Sequence, residues 1–291
     1  MGANINALRE RLTLRRNADG GWGYRAQGAS AAEPTAWACA ALLGGNASEQ
    51  AEAGRGLAWL ASIQKPNGAV PISEKHTSPD WCTPLALFVW SLAARRIADR
   101  LADARRNAAE FLLNSGGEPV ESIPGVFGHD TSLVGWSWVA GTHSWVEPTA
   151  TAVLALKAAG KGNHRRTREG VRLLIDRALP EGGWNYGNTR LFGRVLRPFP
   201  ETTGVALAAL ADEAKCDAIQ RSVDWLTREL SHIRAPLSVA WGAIALTRMD
   251  RRSPDAEEQV ARGVEAALER DVSPAQDALL ILASQEEPFA L

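Results

Sequence analysis

The residues best placed to do chemistry are three glutamates that open similar segments. Glu147-Pro148-Thr149-Ala150 leads into the apolar run Thr151 to Leu156 and follows His143, Ser144 and Trp145. The same tetrad occurs earlier as Glu33-Pro34-Thr35-Ala36, and a looser copy, Glu201-Thr202-Thr203-Gly204, leads into Val205 to Leu210. Proline is tolerated in the first turn of a helix, and a carboxylate there meets unpaired amides and the positive end of the dipole, so each glutamate reads first as a helix cap. A thrice-used helix start also implies an internal repeat. If the three helices line one toroid, their N-termini point a ring of acids into a shared cavity. Glu147, Glu33 and Glu201 are then candidate catalytic groups, with His143, one turn ahead of Glu147, as an orienting neighbour. A carboxylic acid that is to donate a proton must sit pre-organised in a dry pocket. A cation held in such a pocket needs aromatic faces, and the candidates are Trp37, Phe88, Trp90 and Trp241 on inner helices, with Trp81 and Trp145 at the mouth. Core packing is the plain alternative for each aromatic.

The elements that must hold these residues are helices. Runs that are apolar nearly all round (Pro34 to Leu43, Thr83 to Ala94, Pro148 to Ala159, Thr202 to Ala211, Ser238 to Thr247, Pro274 to Ala283) alternate with amphipathic ones such as Glu49 to Gln64 and Leu101 to Leu113. Aligning the closing leucines puts inner-helix starts near Glu33, Thr83, Glu147, Glu201, Leu237 and Ser273. An outer helix precedes each, and a single hairpin cannot bury both faces of its inner helix, so six hairpins closing on themselves are required. The expectation is an all-α chain, one (α/α)6 toroid over residues 1–291, with glycine-rich turns such as Asp19 to Tyr24 between helices. Two connections, 116–146 and 182–200, are long enough to be functional. The second spaces Leu191, Phe192, Val195, Leu196 and Phe199 with arginines; it reads as a surface loop, an entrance lid, or a lip in weak contact with a membrane.

Composition narrows the partners. With 45% hydrophobic and 22% charged residues the chain is an ordinary globular protein. The 32 basic and 33 acidic residues give a net charge of −1, and no basic run offers a nucleic-acid footprint. Met1 to Arg16 lacks an apolar signal core, no stretch approaches a membrane span, and Cys39, Cys82 and Cys216 are odd in number and widely spaced. These features predict a cytoplasmic protein.

At this point the turns carry a family likeness. Asp19-Gly20-Gly21-Trp22-Gly23 before Glu33-Pro34-Thr35-Ala36, and Glu181-Gly182-Gly183-Trp184 before Glu201-Thr202-Thr203-Gly204, resemble the glutamine-tryptophan repeats of the squalene–hopene cyclases, within the terpenoid cyclase and protein prenyltransferase β-subunit superfamily. The resemblance implies an α/α toroid whose cavity holds an isoprenoid-like apolar small molecule. Departures are specific: the repeat glutamine is replaced by Arg16 and Ala178, only Gln64 with Gly68 keeps that half, and the Asp-x-Asp-Asp-Thr-Ala acid motif is absent. Val146 to Ala150 overlays the end of that motif and places Glu147 at its proton-donating carboxylate.

Three readings follow. The first is a terpene cyclase-like enzyme with Glu147 as acid. The second is a zinc-dependent, prenyltransferase-like enzyme. Those β-subunits have an Asp-x-Cys pair at an inner-helix start and a histidine from the next inner helix, which here points to Asp80, Cys82 and His143, a reasonable zinc set with one open position. Repeat alignment sets Val146 rather than His143 opposite Cys82, with His76 or Glu147 as substitute ligands. The third is a non-catalytic toroid that binds an apolar ligand or docks a protein. Phosphate-binding loops, nucleophile elbows and His-Glu-x-x-His are absent from the sequence.

Overall fold

The computed structural model of the chain describes residues 2–97, 100–123 and 126–289. Among them twelve helices follow one another: α1 (Gly2–Leu14), α2 (Ala32–Leu43), α3 (Ala47–Ser62), α4 (Thr83–Ala93), α5 (Ala102–Asn114), α6 (Val146–Ala158), α7 (Arg165–Asp176), α8 (Pro200–Leu210), α9 (Asp217–Leu230), α10 (Pro236–Arg248), α11 (Pro254–Leu268) and α12 (Pro274–Ala283). Among the odd-numbered helices, each even-numbered one packs most on the one that follows it, with α12 on α1. The even-numbered helices touch in sequence, α2 to α4, α6, α8, α10 and α12, and α12 closes back on α2. The odd-numbered helices cover them: α3 packs on α2 and α4, α9 on α8 and α10, and α1 on α12.

Side-chain pattern explains which helix goes inside. Every residue of α4 is buried, and so is every residue of α8 from Thr202 onward. Such helices have no polar face to give to water, so they need neighbours on all sides. By contrast, α7 buries one stripe that includes Gly170, Val171, Leu173 and Leu174, and it lies at the periphery.

A hydrogen-bonded latch repeats at four of the inner-helix starts. The Trp22 amide donates to Thr35 Oγ1 at 2.9 Å, and that hydroxyl donates back to the Trp22 carbonyl at 3.3 Å. Thr83 does the same for Val70, Thr149 for Trp136 and Thr203 for Trp184, with amide-to-hydroxyl distances of 2.9, 3.0 and 2.9 Å. Three of these turn residues are tryptophans whose indole N–H reaches a carbonyl near the end of the preceding outer helix: Trp22 to Leu12, Trp136 to Leu112 and Trp184 to Leu174. One residue type thus ties outer helix, turn and inner helix together. Two residues before the latch, Gly20, Gly68 and Gly182 take φ values of +103°, +89° and +101°. A Cβ there would stand 2.9, 2.2 and 2.4 Å from the carbonyl oxygens of Arg55, Asn107 and Arg221 on the next outer helix, so glycine is required twice over.

At the other end of the ring, basic side chains bond the last carbonyls. Arg9 reaches Ala41 O of α2, Arg95 reaches Ala158 O of α6, and Lys157 and Arg248 reach Ala209 O and Ala208 O of α8. The inner helices therefore run in one direction, with their C-terminal dipole ends met by cations.

The latch makes a stability prediction. Thr149→Val keeps the shape but leaves the buried Trp136 amide without its acceptor, a cost of about 1–3 kcal/mol. Thr151→Val on the same helix removes a hydroxyl bonded only to its own helix, at Glu147 O and Pro148 O, and should be near neutral. Urea unfolding of both variants tests this; equal losses would mean that the latch carries no special weight.

Candidate functional site

The latch fixes the rotation of four of the inner helices, and that rotation decides which residues face the bore. Residues two before and two after the latch threonine lie four apart, on one face of the first turns. In α2 these are Glu33 and Trp37, ahead of α4 and into it Trp81 and Leu85, and in α6 Glu147 and Thr151; all six line a single central cavity. Glu201, two before Thr203, lines it as well. The two helices without a latch contribute pairs of the same spacing, Leu237 with Trp241 and Ala275 with Leu279. Tyr24 and Trp138 complete the wall from the turns above. The cavity measures ≈190 Å³, larger than the engineered apolar cavity of about 150 Å³ that takes up benzene.

Aromatic faces close in from several sides. Trp37 and Trp241 meet edge to face with centroids 5.3 Å apart, and Trp81 and Trp138 do so at 5.1 Å. Against this apolar wall stand three carboxyl groups. Burial, then the charges of Glu201 and Glu33, push Glu147 up to about 7. Burial also raises Glu33, and a hydrogen bond from the Tyr24 hydroxyl lowers it in part. Burial raises Glu201, and Tyr24 is itself raised by burial and by Glu33. The mutual repulsion requires the three carboxyls to be neighbours, and it favours keeping protons among them.

The other predicted site residues lie elsewhere. His143 is exposed, sits in the turn before α6, bridges through its backbone to Glu118 and packs its ring on Trp145 at 4.6 Å. It belongs to a separate pocket of ≈130 Å³ with Glu118, His129 and Arg177, and neither it nor Trp145 lines the cavity beside Glu147. Trp90 turns outward and donates its indole N–H to Leu57 O of α3. Phe88 packs beneath the cavity against Phe289 at 4.9 Å.

The donors considered for zinc do not assemble. Asp80 is paired with Lys65 at 2.6 Å, Cys82 is fully buried beside Glu33, with its thiol pushed well up by burial and by that charge, and His143 faces the other pocket. Among the described residues no group of three or more His, Cys, Asp and Glu side chains has a metal-binding arrangement. The three do not come together as a zinc site, because Asp80 is held by Lys65 and His143 lies in the other pocket.

Tyr24 and Trp138 were not among the residues singled out from the sequence. A signal for them exists: each stands two residues after a latch tryptophan, in Trp22-x-Tyr24 and Trp136-x-Trp138, and Trp184-x-Tyr186 repeats the pattern.

Comparison with known proteins agrees with this architecture. Residues 3–114 match the family model of the squalene-hopene cyclase C-terminal domain. A protein from Actinoplanes superposes with a TM-score of 0.62 at 19% identity, over 92% of this chain and 80% of that one. A variant of the type II terpene cyclase MstE from Scytonema, solved with geranylgeranyl dihydroxybenzoate as substrate, gives 0.61 at 16% identity over 92% and 78%. An alpha-amylase from Clostridium perfringens gives 0.64 at 10% identity over 98% and 97%. No curated protein sequence gives a significant match. The chain has the α/α toroid fold of these structures, and none of its described helices is long and apolar enough to cross a membrane.

The raised carboxyl has a consequence for stability. A group whose folded pKa lies above its unfolded value favours the fold in its protonated form, so its contribution is complete below the usual carboxylate range and is lost as pH rises through about 7 for Glu147. His129, held down to about 4 by burial and the Arg177 charge, acts oppositely and loses its contribution on acidification. The readout is therefore the difference between variants. Between about pH 5 and about pH 8 the melting temperature of the wild type should fall relative to Glu147→Gln by several degrees; parallel curves would show that Glu147 titrates normally.

Proposed function

We propose that the chain is a cyclase-like enzyme that takes an isoprenoid or comparably apolar substrate into the central cavity and protonates it from Glu147. The observation that carries this reading is a carboxyl with a pKa of about 7, beside two further raised carboxyls, in a cavity walled by indoles. At neutral pH such a group is protonated in a large fraction of molecules, which an acid must be before it can act. The likeness to type II terpene cyclases, one of them solved with a geranylgeranyl substrate, supports the substrate class.

The step balances as follows. The Glu147 hydroxyl gives its proton to one carbon of an alkene, the π pair forms the new C–H bond, and the positive charge appears on the more substituted carbon. The π pair of the next alkene attacks that carbon and closes a ring. Trp37, Trp81, Trp138 and Trp241 present faces that stabilise the travelling charge. The last cation loses a proton, which returns the electron pair to a C=C bond and the proton to a carboxylate of the ring.

The departing proton leaves a carboxylate on Glu147. If Glu33 and Glu201 keep their protons at that moment, they are hydrogen-bond donors rather than repelling charges, and Tyr24 holds Glu33 in place through its hydroxyl. A cluster of three raised carboxyls thus serves as a proton reserve. No step is assigned to His143, which lies outside the cavity.

The test is product formation from linear polyprenes, with and without a polar head group, analysed by gas chromatography and mass spectrometry in D₂O. Cyclised product should carry one deuterium from the acid, and Glu147→Gln should reduce its formation by at least about 100-fold while leaving the melting temperature at acid pH near that of the wild type. Turnover undiminished in the variant would sink the assignment.

A further inference from the structure

The bore of the toroid is closed from below by a side chain outside the repeat. After α12 the chain turns back across the C-terminal ends of the inner helices, where Arg252 donates to Gln285 O at 2.8 Å. It then inserts Phe289, which is 2% exposed. The ring stacks on Trp37 at an interplanar angle of 28° with centroids 6.2 Å apart, meets Phe88 edge to face at 4.9 Å, and tilts against Trp241 at 6.1 Å. From the far side the Arg248 guanidinium covers it at 5.9 Å.

These contacts fix its level. Trp37 and Trp241 lie about one turn inside their helices and form part of the cavity wall, whereas Arg248 is the last residue of α10. Phe289 touches both layers, so it fills the bore between the indoles and the C-terminal ring. Its backbone takes φ +72°, a region that bulky L-residues avoid. The segment accepts that conformation where it delivers the ring into the bore.

We propose that Phe289 backs the floor of the cavity, the Trp37–Trp241 pair, and so sets the longest apolar chain that the site accepts. This rests on the reading of the cavity as the substrate site. A chain entering past Tyr24 and the carboxyls runs down to the touching Trp37–Trp241 pair, which rests on the Phe289 ring. Truncating that ring lets the indoles settle into the space it vacates, beside Phe88 and the stem of Arg248, and so deepens the cavity. The dimension that changes is depth, because the contacts of Phe289 lie along the bore and the carboxyl ring at the mouth does not touch it.

The experiment measures affinities of a homologous series of linear 1-alkanols, and in parallel of prenyl alcohols of increasing length, for the wild type and Phe289→Ala. Each methylene that finds room tightens binding about fourfold. In the wild type the gain should stop at a definite chain length, and in Phe289→Ala it should continue for roughly four more carbons, the length of the removed ring. Phe289→Leu, which fills most of the same space and guards against a variant that fails to fold, should shift the limit by a smaller amount in the same direction. An unchanged limit in the folded variants, or no alkanol bound by any of them, overturns the floor assignment. A limit that moves for alkanols while no prenyl alcohol binds leaves Phe289 as the support of the floor and removes the isoprenoid reading of the site.

Discussion

The threonine latch is the interaction on which the rest of the structure depends. A hydroxyl that accepts from one backbone amide and donates to the carbonyl of the same residue satisfies a turn that is otherwise buried and irregular, where an unpaired amide is costly. It also locks the first turn of an inner helix at one rotation. Three of the four latches join residues thirteen apart, and the fourth spans nineteen because the hairpin Arg190–Leu191/Arg194–Val195 is inserted in its connection. The insertion leaves the latch intact, so the side chain two residues before the threonine still faces the cavity. Glu33, Trp81, Glu147 and Glu201 share one geometric address on four helices.

Aligned inner helices impose an electrostatic consequence. Their N-terminal ends converge at the cavity and would stabilise carboxylates there, by roughly 0.3–1 kcal/mol each. Burial and mutual repulsion act in the opposite direction. The rise of Glu147 from 4.5 to about 7 corresponds to about 3 kcal/mol, so desolvation and the neighbouring carboxyls outweigh the dipoles, and all three carboxyls are shifted towards their protonated forms. At the C-terminal end the balance is simpler, since Arg9, Arg95, Lys157 and Arg248 lie on carbonyls that lack helical partners. Lys157 is paired further with Glu213 at 2.6 Å. The molecule is thus proton-rich at one mouth and cationic at the other, with the indole layer and Phe289 between them.

Much of this was legible in the sequence, and the remainder was hidden for definite reasons. Helices apolar all round alternate with striped ones, which is enough to separate inner from outer and to require closure. The glutamate-proline-threonine starts and the glycine-tryptophan turns mark the repeat. The job of the threonine was not legible, because its partner lies across an irregular turn and no helical or strand period links the two. Trp136 escaped notice as a member of the repeat because Val134 stands where Gly20, Gly68 and Gly182 mark the other turns. Trp90 illustrates a limit of periodicity: a helix buried on every side gives no pattern from which to read its rotation, and the indole points to α3. His143 is three residues ahead of Val146, where α6 begins, so a one-turn helical spacing to Glu147 did not apply. Phe289 follows the last helix and carries no repeat signal.

The ring itself does not choose a chemistry, as the similarity in fold to both a terpene cyclase and an alpha-amylase makes plain. What the scaffold supplies is a set of positions whose side chains face the cavity: two before each latch and, at the latches of Thr35, Thr83 and Thr149, four further on. Polar side chains there would make a wet cleft suited to hydrogen-bonding ligands. Here the second position of each pair is Trp37, Leu85, Thr151, Trp241 or Leu279, and Tyr24 and Trp138 narrow the mouth. Three of the first positions, Glu33, Glu147 and Glu201, hold carboxyls in an environment that resists their ionisation. A dry wall with proton donors at its rim suits a substrate that has no strong hydrogen-bonding groups and that reacts by accepting a proton. Changing the residues two before the latch should therefore alter the chemistry more than the fold, because the latch threonine, the turn glycine and the indole that hold the helix in place are different residues from those that face the cavity.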